Sequence, residues 1–269
     1  MGNRKHQHAQ HVLGSKMAAK KDLMEMLWPV LGATLLFFIP YVLLSEALAL
    51  ACCGTGMELR QDLTQAQLLS YVFTFEIANL LLVQPLYFGL TQFYALRRAG
   101  GHPRLSTVTM CLASPRLYWK SLRMALLMML FAVVWMIPAG LVCAMGYVVF
   151  VAIVGTRFGW FLFIEVVIIA VAWYASVMLQ YHCGYALLAE QPALGCWKAV
   201  RTAVRKFKGH RMEAFSLLVS FSFWLVVSVL MGGVPLLVVL PYLLLALYHL
   251  FDRVRGVEIR VAGGNSEKS

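Results

Sequence analysis

The sequence predicts an all-α, polytopic membrane helical bundle: six transmembrane helices accompanied by basic amphipathic interfacial helices. Three observations carry this. The 269 residues are 61% hydrophobic and only 13% charged, where a soluble domain has about 45–50% apolar and about 25% charged residues. Several blocks of about 18 or more residues are almost free of charge, the length that crosses roughly 30 Å of hydrocarbon. Lys and Arg gather in alternate connections between those blocks. The expected organisation is a disordered polar tail (1–12), one membrane domain (13–252) and a flexible tail (253–269).

Residues 13–28, LGSKMAAKKDLMEMLW, form the first amphipathic stretch. Leu13, Met17, Met24 and Trp28 recur near helical spacing, with Lys16, Lys20 and Lys21 read as the other side. Such a helix should lie in the interface with its lysines toward headgroups. The first span is about 29–51 and contains Pro40. The second, about 67–96, holds Glu76, Asn79 and Gln84 ahead of Pro85. The third, about 125–154, meets Ile137-Pro138-Ala139-Gly140, where a break is expected. The fourth is about 160–189. The interval EQPALGCWKAVRTAVRKFKGHR (190–211) follows, with Pro192 suited to a first helical turn. Its Leu194, Trp197, Val200, Val204 and Phe207 keep i+3/i+4 spacing. Lys198, Arg201, Arg205 and Lys208 cluster on an adjacent face. The fifth and sixth spans are about 214–231 and 236–251, separated by Gly232-Gly233-Val234-Pro235.

The basic residues set an orientation. The N-terminal segment carries 5, the successive connections carry 1, 6, 1, 6 and 0, and the C-terminal tail carries 4, so 21 of 23 fall on one side. By the positive-inside rule that side is cytoplasmic and holds both termini. The net charge of +11 is therefore expected to face anionic lipid rather than nucleic acid. A basic helix precedes a membrane hairpin three times, at 13–28, 105–123 and 193–211, which suggests a repeated unit.

Two groups of residues stand out as candidate sites. Glu76 and Asn79 share a helix face at i and i+3, with Gln84 some way round it. A carboxylate and two amides at that depth are costly and should face protein or water. Lys198, Arg201, Arg205, Lys206 and Lys208 are the candidate contacts for lipid headgroups or a partner. His182 is expected to make a structural hydrogen bond. The six cysteines form no CxxC pair and no zinc spacing, and no metal or cofactor is expected. No HExxH, GxSxG, GxxxxGK[ST] or GxGxxG pattern is present, so the chain is not expected to be an enzyme.

The motifs LGSKMAAKKDLMEMLW, QPLYFGLTQFYALRRAG, MIPAGLVCAMGY, the long stretch from Tyr181 to Trp224 and LPYLLLALYHL resemble, in this order, the bacterial integral membrane family called domain of unknown function 975. More distantly, that family is similar to the membrane domain of some glycerophosphodiester phosphodiesterases. Glu190-Gln191-Pro192 fits the family's acidic–proline turn loosely, and 148–177 is longer than its pattern. The resemblance implies a polytopic helical fold in the bacterial cytoplasmic membrane and carries over no catalytic residue. The expected role is organisation of anionic membrane lipid, or of a membrane protein partner, through basic helices. The alternative is a transporter or transporter subunit with a polar site at Glu76 and Asn79.

Overall fold

The computed structural model describes residues 2–53, 64–153, 155 and 157–256. Among these there is no strand. In chain order the helices are α1 (Gly2–Glu25), α2 (Leu27–Cys53), α3 (Gln65–Ala78), α4 (Gln84–Arg98), α5 (Ser106–Ala113), α6 (Pro115–Gly146), α7 (Arg157–Glu190), α8 (Cys196–Lys206), α9 (Arg211–Leu230) and α10 (Leu236–Arg255). A π turn, Asn79–Val83, joins α3 to α4, and another, Tyr147–Ile153, ends α6. Six helical stretches are long and apolar enough to cross a membrane: Leu27–Ala51, Gln65–Arg98, Pro115–Ile153, Arg157–Glu190, Arg211–Ser228 and Leu236–Arg255. The protein is thus an all-α, multi-pass membrane protein.

Local chemistry accounts for several boundaries. Thr64 starts α3 with a capping box: its hydroxyl accepts the Gln67 N–H while the Gln67 side chain accepts the Thr64 N–H. Pro115 opens α6, where its missing N–H costs nothing. Gly256, at φ 69°, caps α10 in the left-handed conformation that glycine adopts freely.

The buried core lies toward one end of the bundle. It combines most of α4 (Leu86 to Ala95), the last turns of α7 (Cys183 to Leu188), α10 from Val239 to Phe251, and the inner faces of α5 and α8. Gly89 makes α5 possible. A Cβ there would sit 2.0 Å from the Val108 carbonyl oxygen, so α5 lies directly on the α4 backbone. Away from this end, α6 and α7 run on as a pair. Their outward residues, such as Ile137, Leu141, Ile168 and Ile169, are exposed and apolar, a surface suited to lipid.

Several expectations are corrected here. The break at Pro138 does not occur: α6 runs unbroken through it and irregularity comes later, at the Tyr147 π turn. Within residues 105–123 a short helix, α5, is followed by a second helical start at Pro115, as the residues themselves imply, so the stretch counted above as one basic helix is two, and Leu105 rather than Ser106 occupies the cap position of α5. Pro192 lies in a turn, and α8 starts at Cys196 behind Gly195. Helix α1 begins at Gly2, well before Leu13. Among its described side chains Ser15, Ala19 and Leu23 are buried, while Lys20 and Lys21 share the exposed side with Met17 and Met24. Close packing across α9 and α10 favours the small side chains, which overrides the apolar stripe as the docking face. At the other end, Arg253 and Arg255 belong to α10. Residues 257–269 of the expected flexible tail lie outside the described residues. The alternation seen in sequence survives as topology: α1, α5 and α8 each precede an apolar hairpin.

Candidate functional site

Helix α8 packs against α7 with Ala199, Val200 and Ala203 buried, and Phe207, just past its end, stacks on Phe251 of α10 at 5.5 Å. Gly184 permits this approach, since a Cβ there would lie 2.9 Å from Val200 Cγ2. With that face fixed, the helical repeat turns Trp197, Arg201, Val204 and Lys208 toward α6. They border a groove of about 400 Å³ with Phe131, Tyr181, Arg205 and Arg211. Its floor is aromatic. Phe131 stacks on Trp197 with ring centroids 5.6 Å apart and lies 4.6 Å from Tyr181. The Trp135 indole N–H donates to the Tyr181 hydroxyl at 2.9 Å and fixes it.

Of the five basic residues singled out in sequence, Arg201, Arg205 and Lys208 line this groove, and Arg211 joins them. Lys198 and Lys206 do not. Lys206 sits about half a turn from Trp197 on the helix and points to the opposite edge. Arg201, Arg205, Lys208 and Arg211 are exposed and make no ion pair with the described residues.

A different set of cations is paired with carboxylates. Arg98, with its side chain 3% exposed, pairs with Glu190 and lies 3.0 Å from Asp252. Arg255 clasps Glu190 through two bonds of 2.7 and 2.8 Å and also pairs with Asp252. Arg97 pairs with Glu25 and lies 3.7 Å from Asp22, which His249 contacts at 2.6 Å. This ionic layer ties α1, α4, α7 and α10 together at one level. Sequence reasoning missed it, reading Arg97 and Arg98 as loop charges, Glu190 as a turn residue and Arg255 as tail. The available signal was the acidic and basic spacing at the ends of three spans, Arg97-Arg98, Glu190 and Asp252 to Arg255.

The polar trio of the second span does converge. Glu76, Asn79 and Gln84 line one cavity of about 280 Å³ with Leu80, Tyr87, His182 and Tyr185. Pro85 shapes it. Lacking an N–H, Pro85 cannot bond the carbonyl four residues back, and its ring crowds that turn. The helix answers with a π turn, a feature common at functional sites. The Gln84 N–H, which an α-helix would give to Leu80, goes instead to the Asn79 carbonyl. The Leu81 carbonyl, orphaned by Pro85, is recovered by the Tyr118 hydroxyl at 3.0 Å. His182 bonds the Tyr87 hydroxyl through Nε2, the structural contact expected of it. Its Nδ1 is buried with no partner among the described residues.

Among the described residues no group of three or more His, Cys, Asp and Glu side chains could hold a metal ion. His11 faces Glu213 across 3.4 Å, and the side chains of His6 and His8 lie outside the described residues.

The sequence profile of a family described as "Protein of unknown function (DUF975)" matches residues 16–258. The chain belongs to the DUF975 family. No curated protein and no solved structure matches it. The DUF975 match takes in both the ionic layer and the α8 groove, apart from nothing but the first 15 residues and the last 11.

Proposed function

We propose that this DUF975 protein sits in the bacterial cytoplasmic membrane with both termini inside and holds anionic phospholipid in the α8 groove. In this reading it organises lipid around itself and is not an enzyme. The observation that carries it is the contrast between two sets of cations. Arg98 and Arg255 are neutralised by Glu190 and Asp252, whereas Arg201, Arg205, Lys208 and Arg211 converge on an aromatic floor without an acidic partner among the described residues. Guanidinium groups match phosphate oxygens in pairs. Phe131, Tyr181 and Trp197 suit the glycerol and upper acyl region, and the exposed apolar side of α6 leads away from the groove. Each cation near an anionic surface is worth about 1 kcal/mol.

We further propose that this protein's fold is akin to the membrane domain of some glycerophosphodiester phosphodiesterases. Transport remains a second reading, favoured by the cavity at Glu76.

Native mass spectrometry of the detergent-purified protein tests the lipid reading. Phosphatidylglycerol should be retained over phosphatidylcholine. Changing Arg201, Arg205, Lys208 and Arg211 together to Gln should weaken that retention by about ten-fold or more. Equal retention of both lipids, or no change in the variant, contradicts the reading.

A further inference from the structure

We propose that the cavity beside the π turn binds a small monovalent metal cation of the Na⁺ class. This is independent of the lipid groove. Glu76 lies about 16 Å along the helix from Gln65 and about 33 Å from Arg98. It sits among Leu69, Phe73 and Ile77, which are all exposed and apolar, so the carboxylate is at hydrocarbon depth. A charge there needs a compensating partner. No Lys or Arg lines the cavity, and no ion pair or hydrogen bond joins the Glu76 side chain to another described residue.

The available ligands are hard oxygens. Glu76 contributes a carboxylate, and Asn79 and Gln84 contribute amide oxygens. Leu80, on the same wall, has lost the N–H that an α-helix would supply to its carbonyl, because Gln84 donates to Asn79. Interrupted spans that offer freed carbonyls beside a polar side chain are how membrane proteins coordinate Na⁺. A single carboxylate balances one positive charge, whereas oxygen cages for divalent ions commonly draw on several. The space of about 280 Å³ leaves room for residual water on the ion.

The test is radiolabelled Na⁺ binding to the full chain in neutral-lipid nanodiscs. Wild type should bind saturably, with displacement by unlabelled NaCl but not by choline chloride. Glu76→Gln should abolish binding and Asn79→Ala should weaken it. The four-fold Gln variant of the α8 groove should bind as wild type does, which separates this site from the lipid site. Absence of saturable binding in wild type, displacement by choline, or full binding by Glu76→Gln would overturn the proposal.

Discussion

Arg98→Met should lower the stability of the purified protein by about 3–5 kcal/mol, the range for removing one member of a buried ion pair. The cause is what stays behind. Glu190 and Asp252 would be left to share Arg255, with Asp252 only 5% exposed. The aliphatic part of Met replaces much of the packing that Arg98 provides over the Tyr248 ring, whose centroid is 5.9 Å away. The loss is therefore electrostatic rather than a cavity effect. Adding Asp252→Asn removes one orphaned carboxylate, so the double variant should be more stable than Arg98→Met alone. Thermal unfolding in detergent, followed by circular dichroism, reads both. Additive losses in the double variant would show that the two side chains do not interact.

Gly89→Ala should cost about 3 kcal/mol, near the top of the usual range for overpacking. A methyl at that position would meet the Val108 carbonyl oxygen at 2.0 Å. The opposing atom is backbone, so no side-chain rotation relieves the contact, and α5 must move away from α4. Gly140→Ala is the matched control. Nothing lies within 4 Å of its Cβ position inside α6, so helix propensity should make the change neutral or stabilising by about 0.5–1 kcal/mol. Fluorescence-detected size exclusion across a temperature series compares the two. Equal melting of both variants would contradict the close α4–α5 packing.

Six spans were legible from hydropathy because each block satisfies its backbone internally and advertises itself by length alone. The polar trio was legible for a related reason. Glu76 and Asn79 fall on one helix face, and amides and carboxylates are rare at that depth. The ionic layer was not legible, since pairing of Arg98 with Glu190 and Asp252 joins residues far apart in sequence. Counting Lys and Arg assigns Arg97, Arg98 and Arg255 to topology and cannot tell a paired arginine from a free one. The groove on α8 fell between these cases. Helical spacing placed Arg201, Arg205 and Lys208 together, but the docked face that excludes Lys206 depends on Gly184 and Val200 meeting at close range. Proline was an uneven guide. Pro85 shifts its helix into a π turn, while α2 and α6 run through Pro40 and Pro138.

The central claim is that anionic phospholipid occupies the α8 groove, and a photoactivatable phosphatidylglycerol tests it most directly. Irradiation of the protein in nanodiscs, followed by peptide mapping, should place the crosslinks within residues 197–211 and on the Phe131 and Tyr181 stretches that face them. Those crosslinks should fall sharply in the four-fold Gln variant while any on α6 beyond Ile137 persist. Crosslinks spread evenly over the apolar surface, or undiminished at 197–211 in the variant, would contradict the account.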